Sequence, residues 1–347
     1  MRLASLFSPT ARLLAVATLA VTTLLPVQAQ AQNKTEVQIG ISNRSLLGLP
    51  ILIAKEKGFF EKEGLKVSID YFAGGVPATT ALIGGSVQFV DVAFDNNVKA
   101  VKKGQPVVSI ANLQTDFAGA IVVRKDVSKK LGRKPGVKDL KGLRIGTLAR
   151  GGFADVATRY IAAEAGFDPD KDIELVPIRG ADRQLAAGDA NQIDAAFVME
   201  PWNVIAVDEL KGWDYVLDLT SGQGPDVFQG LGYTTLQTTR QYLKDNRATA
   251  EKVVRATVAA LQYIVNPANL DDVATIADAE YGKPGVAVLK KSIQRQVRGF
   301  DPHLPAQALN KTARLLLQSQ SITEPIPSYD DLVDRSFQPI WDTFKRP

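Results

Sequence analysis

The feature that most constrains the fold is an internal repeat with a period of about 105 residues. The segment Val-Gln-Ile-Gly at 37–40 matches Leu-Arg-Ile-Gly at 143–146, and a Gly-Phe pair follows each copy, at 58–59 and at 166–167. Farther on, Gly85 and Gly188 each precede by five positions a strand-like segment, Val-Asp-Val-Ala-Phe or Ile-Asp-Ala-Ala-Phe. This period is far too long for a solenoid, so the repeat predicts two α/β lobes of one design.

Each copy of the repeat contains three strand-like segments, because a further strand follows the Gly-Phe pair, at 66–71 and at 173–178. Each strand leads into a helix, so each copy predicts three strand-to-helix turns. Open α/β sheets bind ligands beyond the carboxyl ends of their strands. A cleft between two lobes is also a common place for a small-molecule site. We therefore expect the six matched turns to face one another across a ligand-binding cleft.

The apolar segments that connect the two copies predict the limits of the lobes. Residues 32–115 form the first part of lobe 1, residues 116–227 form lobe 2, and residues 228–347 return to lobe 1 and continue as C-terminal helices. Two crossing segments form a hinge, which allows closure around a ligand. We expect the helical tail to pack on the outside of the lobes, mainly on the first.

Residues 1–31 have the pattern of a cleaved signal peptide. Arg2 and Arg12 accompany an apolar core at 13–25 that is too short to span a bilayer, and Ala29 and Ala31 supply a small-residue cleavage site. We predict cleavage after Ala31, the alternative being a retained N-terminal anchor. The chain has no cysteine, so an exported protein would not depend on disulfides, and we predict a periplasmic location.

Charge and composition narrow the class of partner. The formal net charge is +4, and two of these charges lie in the predicted signal peptide, so the basic character is weak support for binding nucleic acid or membrane. With no cysteine and one histidine, His303, thiolate catalysis and histidine-rich metal sites are excluded. We predict no nucleic-acid partner, no cofactor, no metal and a monomeric protein.

The turn at 147–153 is a candidate anion site. Gly151 and Gly152 have no Cβ atom, so a ligand can approach the backbone closely. The first amides of the following helix lack intrahelical partners and carry the positive end of the helix dipole, and Arg150 adds a full charge. A tight turn without a ligand is an equally good interpretation. Gly152 and Phe153 stand where a P-loop requires Lys and Ser/Thr, so a phosphate loop is excluded.

A second candidate lies at the third turn of the second copy. Glu200 is placed to accept a hydrogen bond from a ligand amine or hydroxyl, and Trp202 to form a wall, although a helix cap and a packed aromatic explain the same residues. Arg44 and Arg179 lie on other matched turns and share a predicted rim with Arg150.

The segment at 54–65, Ala-Lys-Glu-Lys-Gly-Phe-Phe-Glu-Lys-Glu-Gly-Leu, resembles the A-x-E-x-G-F-F-x-x-x-G-L signature of one family. This family is the periplasmic substrate-binding proteins of nitrate/sulfonate/taurine-type ABC importers. Further segments match in family order at 85–93, 123–126, 139–146, 188–196 and 200–202. The resemblance implies a two-lobe periplasmic-binding-protein fold of type II-like design, with hinge strands and a helical C-terminal tail. It also implies ligand capture in the cleft and delivery to an ABC permease in the inner membrane. Our first hypothesis is therefore a solute receptor for a small organic anion, without enzymatic activity.

The resemblance places ligand contacts on the matched turns. The charge of Arg150 and the ring of Trp202 add these two residues to the predicted contacts. The contacts that the resemblance implies are Asn43, Arg44, Ser45, Gly74, Gly75, Asn96, Thr147, Gly151, Gly152, Phe153 and Glu200. Relatives often have a Gly-Ser/Thr pair at the start of the second-lobe helix, where this chain has Gly151, Gly152 and Phe153. A hydroxyl donor is therefore absent, and either backbone amides replace it or the ligand has a flatter, more aromatic head. The expected ligand is a sulfonate-, nitrate- or carboxylate-type anion.

Two rival functions remain at this point. One is an enzyme on the same two-lobe scaffold that acts on a small anionic substrate. The other is an extracytoplasmic sensor that docks on a signalling receptor instead of a permease.

Overall fold

The computed structural model describes residues 34–347, and the predicted signal peptide lies outside them. Within this range the strands are β1 (Thr35–Ile41), β2 (Leu65–Tyr71), β3 (Phe89–Ala93), β4 (Val107–Gln114), β5 (Gly119–Arg124), β6 (Arg144–Thr147), β7 (Glu174–Pro177), β8 (Ala195–Met199), β9 (Trp213–Asp218) and β10 (Thr234–Thr239). They form two five-stranded sheets, in the orders β2-β1-β3-β10-β4 and β7-β6-β8-β5-β9.

Helices cover both sheets. In the repeated part of the chain they are α1 (Leu49–Glu56), α2 (Phe59–Lys62), α3 (Gly75–Ile83), α4 (Phe94–Lys102), α5 (Lys125–Lys129), α6 (Phe153–Glu164), α7 (Ala181–Asp189) and α8 (Trp202–Val204). In the tail, defined here as residues 240–347, they are α9 (Arg240–Val265), α10 (Leu270–Glu280), α11 (Val286–Gln296), α12 (Ala306–Gln318), α13 (Tyr329–Leu332) and α14 (Gln338–Trp341). None of the helices within residues 34–347 combines the length and the apolar character needed to cross a membrane.

Strand pairing follows the sequence repeat. In the first sheet β1 pairs in parallel with β2 and β3, and in the second sheet β6 pairs in parallel with β7 and β8. Antiparallel strands complete each sheet: β10 joins β3 to β4, and β5 joins β8 to β9. The predicted α/β architecture with two lobes is therefore confirmed, and the first and second lobes are named here by these sheets.

The glycine that precedes the last repeated strand has a packing reason in the second lobe. A Cβ atom at Gly188 would lie 2.2 Å from the ring of Trp213, which is buried at the start of β9. Real Cβ atoms do not tolerate such a distance, so the close approach of α7 to β9 requires glycine here. The neighbouring Leu185 and Ile193 complete this core.

Two connections join the lobes and are filled by aromatic rings. The chain leaves the first sheet after Gln114 and returns to it at Thr234. Phe117, in the outgoing connection, stacks on Phe153 with ring centroids 5.0 Å apart, and Tyr233, in the returning connection, packs on Phe153 at 4.5 Å. The lobe limits at 115/116 and 227/228 stay predictions.

The structure of the tail adds detail to the predicted C-terminal helices. Helix α9 begins at Arg240 and is kinked at Asn246, where φ is −134° and ψ is 36°, and the C-terminal end forms two short helices, α13 and α14. Helix α11 was not predicted, although Val288, Leu289, Ser292, Ile293 and Gln296 repeat on one buried face with helical spacing. The expectation that the tail stays outside the lobes also fails, because the turn between α10 and α11 reaches the cleft described next.

Candidate ligand-binding cleft

A cavity of about 520 Å³ opens between the carboxyl edges of the two sheets. Turns of both lobes and one turn of the tail form its wall. The first lobe contributes Asn43, Arg44, Ser45, Tyr71, Phe72, Ala73 and Gly74; the second contributes Leu148, Arg179, Gly180, Ala181, Asp182, Arg183, Phe197, Val198, Met199 and Trp202; the tail contributes Tyr281 and Gly282. We call this cavity the cleft. Its volume is in the range of small-molecule sites.

Aromatic side chains form much of this wall. Tyr71 and Phe72 come from the end of β2, Trp202 from the start of α8, and Tyr281 from the turn after α10. Rings from both lobes and the tail thus approach the same volume. Such a wall favours a ligand with an apolar or planar body over a small hydrated ion.

Tyr71 and Tyr281 also carry buried hydroxyl groups. Within the described residues neither hydroxyl has a hydrogen-bond partner. Burial raises the pKa of both phenols above the usual tyrosine value, and the nearby Glu280 carboxylate raises it further. Both side chains are therefore neutral at physiological pH.

Arg44 lies on the cleft wall and is paired with the Glu280 carboxylate. Its Nε and Nη2 atoms donate to Oε1 of Glu280 over 3.2 and 3.0 Å, and its guanidinium lies 5.4 Å from the ring centre of Tyr71. Glu280 ends α10, so the tail holds this first-lobe arginine in place. The pair largely balances its own charge, which weakens Arg44 as an anion ligand.

Arg179 and Arg183 lie on the opposite wall. Arg179 immediately precedes Gly180, which has a φ of +97° and starts α7, and Arg183 lies in the first turn of that helix. Both side chains are exposed, and within residues 34–347 neither forms a salt bridge or a side-chain hydrogen bond. Asp182, between them, also lines the cleft, so the group carries two positive charges and one negative charge.

The structure brings only part of the predicted site to the cleft. Five of the predicted ligand contacts lie on its wall, namely Asn43, Arg44, Ser45, Gly74 and Trp202. The other eight do not line it: Gly75, Asn96, Thr147, Arg150, Gly151, Gly152, Phe153 and Glu200. Their ligand roles stay predictions.

The turn before α6 instead meets a side chain of the opposite lobe. Lys99, on α4, donates from Nζ to the carbonyl oxygen of Gly151 over 2.8 Å and forms an ion pair with the buried Asp95 at 2.6 Å. Phe153 is buried between the connections, and Arg150 is exposed. The turn predicted to bind an anion therefore contributes to the contact between the lobes.

Local packing and hydrogen bonding involve three more of the predicted contacts, namely Asn96, Gly75 and Thr147. The side-chain Nδ2 atom of Asn96 donates to the Ala93 carbonyl over 3.2 Å and to Oδ1 of Asp95 over 3.0 Å. A Cβ atom at Gly75 would lie 2.5 Å from that same nitrogen, so Asn96 packs directly on the start of α3. Thr147 is fully buried at the end of β6.

Glu200 is bound by the tail. It is 1% exposed, and its Oε1 atom accepts from Nε of Arg295 over 2.7 Å and from Asn203 over 2.9 Å. Arg295 also donates from Nη2 to both oxygens of Asp218, over 2.8 and 2.9 Å. Burial raises the pKa of Glu200, and the charge of Arg295 opposes this rise. In this arrangement the partner of Glu200 is an arginine of α11.

Sequence reasoning missed four residues that the geometry brings forward, and only one had a usable signal. Arg183 lies four positions after Arg179, which the sequence places on a matched turn, and this proximity was the usable signal. Tyr71, Tyr281 and Arg295 carried no comparable pattern, because two belong to the non-repeated tail and the third closes an ordinary strand.

The NMT1-like family matches residues 30–278. The chain belongs to the NMT1-like family.

Individual relatives of this NMT1-like chain agree. A Bacillus subtilis (strain 168) protein named as a binding protein, YtlA, is 26% identical over 316 residues, covering 88% of this chain and 90% of its own. The nitrate/nitrite binding protein NrtA of Nostoc sp. (strain PCC 7120) is 24% identical and covers 81% of this chain and 65% of its own. The structure of the alkanesulfonate-binding protein SsuA from Xanthomonas axonopodis pv. citri, bound to MOPS, superposes with a TM-score of 0.70 at 19% identity, over 86% of this chain and 99% of SsuA.

These matches confirm the predicted resemblance and the periplasmic-binding-protein fold. Each of the three relatives is named as a binding protein, and none as an enzyme. The predicted class, a solute-binding protein of the nitrate and sulfonate importers, is confirmed at the level of the family.

Proposed function

We propose that this NMT1-like protein captures a small organic anion, of sulfonate, nitrate or carboxylate type, in the cleft and delivers it to an ABC permease of the inner membrane. The observation that carries the proposal is the cleft itself: about 520 Å³, lined from both lobes, with arginines on both walls and aromatic rings between them. Cationic donors beside an aromatic and apolar lining favour an organic anion, because the guanidinium groups can bind its charged end while the rings contact its body.

Capture by closure is part of this proposal. The lobes already touch at the rim, where the Leu46 amide donates to the Glu200 carbonyl over 3.4 Å and Lys99 reaches Gly151. A ligand enters after these contacts separate and is enclosed when they form again. Rotation about two connecting segments is the usual way in which two-lobe receptors close.

The remaining parts of the proposal concern location and partners. The protein acts in the periplasm after cleavage near Ala31, as a monomer, without a cofactor and without nucleic acid. We propose that it carries out no chemistry on the ligand, so that its role is transport rather than catalysis. Mass spectrometry of each bound compound before and after incubation with the protein tests this point, and a product peak would contradict it.

The test of the function is a thermal-unfolding screen of the chain beginning at residue 32. The compounds are benzenesulfonate, benzoate, MOPS and nitrate, with choline as a cation of similar size that should not bind. A ligand at a hundred times its dissociation constant adds about 2.7 kcal/mol to the free energy of unfolding, a readily measured rise in the midpoint. Stabilisation by choline alone, or by none of the anions, contradicts the proposal.

A further inference from the structure

We propose that Arg179 and Arg183 hold the anionic group of the ligand, while its apolar body lies against Trp202. The assignment rests on the proposed function and narrows it. It places the charged end of the ligand in the second lobe at the start of α7, away from the turn before α6.

The arginines near the cleft differ in whether they are already paired with a carboxylate. Arg44 is bound to Glu280, and Arg295 is bound to Glu200 and Asp218. Arg150 is exposed but does not line the cleft. Among the described residues, Arg179 and Arg183 are the arginines that both line the cleft and have no carboxylate partner. A charge that is already paired gains little from a second anion, so these two are the available donors.

Both arginines lie at the start of α7 and on the same wall of the cleft. Arg179 directly precedes Gly180, the N-cap residue of the helix, and Arg183 lies in its first turn. Gly180 has a φ of +97°, and the first amides of α7 have no intrahelical acceptor. A guanidinium donates two parallel hydrogen bonds to a carboxylate or sulfonate, so two of them can surround one such group.

The net charge and the volume of the cleft indicate the class of ligand. Asp182 lies between the arginines and lines the same wall, which leaves one net positive charge in the group. This balance favours a singly charged anion. Nitrate would leave most of a cavity of about 520 Å³ unfilled, whereas an aromatic sulfonate or carboxylate also covers Trp202, Phe72 and Tyr71. The inferred ligand is a singly charged organic sulfonate or carboxylate with a planar apolar body.

The experiment measures binding of benzenesulfonate, benzoate, MOPS and nitrate by calorimetry to the wild type and to single variants. R179Q and R183Q should each weaken the tightest-binding anion by about tenfold or more. D182N should strengthen it, because a competing negative charge is removed. R298Q, an exposed arginine of the tail outside the cleft wall, is the matched control and should leave affinity unchanged. All these side chains are exposed, so the unfolding midpoint should stay near that of the wild type.

The outcomes separate this inference from the proposed function. If the wild type binds an anion and R179Q and R183Q bind it equally well, the assignment is wrong and the function stands. A large loss of affinity in R150Q, with none in R179Q or R183Q, would return the anion to the turn before α6. If the wild type binds none of the four anions, the proposed function fails and the assignment with it. Preference for nitrate over benzenesulfonate contradicts the inferred ligand class.

Discussion

The Nζ atom of Lys99 in the first lobe lies 2.8 Å from the carbonyl oxygen of Gly151 in the second lobe. The same ammonium group pairs with Asp95, whose side chain is 1% exposed. One lysine therefore balances a buried carboxylate and joins the two rims of the cleft. Substitution at this position should affect both stability and the closure of the lobes.

Lys99→Met should lower the free energy of unfolding by about 3 kcal/mol, because it leaves the Asp95 carboxylate buried without a cation. Urea unfolding measures the change. The double variant K99M/D95N should recover much of the loss, since the uncompensated charge is removed. If K99M alone unfolds like the wild type, the ion pair is not a stabilising one.

Arg295→Met should destabilise the closed arrangement, because Glu200 and Asp218 would lose their shared cation. The expected cost is about 3–5 kcal/mol in urea unfolding, and small-angle scattering should show a larger radius of gyration as the buried carboxylates become hydrated. Lys291→Met is the matched control on the same helix: its pair with Asp208 is largely exposed, so the cost should stay within about 0.5 kcal/mol. Equal costs for the two variants would contradict the role given to Arg295.

The repeated aspartates Asp91 and Asp194 should respond in opposite directions to replacement by asparagine. Asp91 is fully buried, neither of its oxygens has a partner among the described residues, and burial raises its pKa well above the usual carboxyl value. The contribution of Asp91 to the free energy of unfolding is thus greatest at low pH. It decreases as the pH rises from the usual carboxyl pKa toward the raised pKa. D91N should therefore raise stability at pH 7 by at least about 1 kcal/mol and flatten this slope.

Asp194 provides the comparison. Arg144 donates to it from Nε and Nη2 over 3.0 and 2.9 Å, and these hydrogen bonds lower its pKa. Its contribution is present above the usual carboxyl pKa and is lost as pH falls through the lowered one. D194N should cost about 1 kcal/mol at pH 7, since the pair is partly exposed. Urea unfolding from about pH 2 to pH 8 measures both variants, and the same sign of change for both at pH 7 would refute this account.

Trp202 should report ligand binding by its fluorescence. The other tryptophans, Trp213 and Trp341, are 1% and 3% exposed and do not line the cleft, whereas Trp202 is partly exposed on its wall. An aromatic anion should therefore change the emission of the wild type and leave that of Trp202→Phe almost unchanged. Trp202→Ala should weaken binding by about tenfold through lost ring contact. A ligand-dependent signal that persists in W202F would place the ligand elsewhere.

Most of the fold prediction depended on the repeat, because two segments with the same spacing of motifs are expected to form the same succession of strands and helices. It predicted the strands β1 to β3 and their counterparts β6 to β8, and the structure adds their order within each sheet. It did not specify contacts between the lobes. The amides before α6 looked available in sequence, and only the structure shows that Lys99 approaches this turn from the other lobe. Glu200 looked free for the same reason, since Arg295 is 95 positions away.

The tail was the least predictable part, because it has no second copy for comparison. Helix α11 had an adequate amphipathic pattern, yet nothing in that pattern indicates which lobe it contacts. Tyr281 follows α10 with no spacing that singles it out, and its position on the cleft wall depends on how the α10–α11 turn crosses between the lobes.

The aromatic contact of Phe153 with Phe117 and Tyr233 has a consequence for the motion of the molecule. Rings from both connecting segments pack on one ring of the second lobe, so a rotation of that lobe requires these three rings to move against one another. We expect this contact to guide the rotation, so that the two rims meet in the same register at each cycle of capture and release.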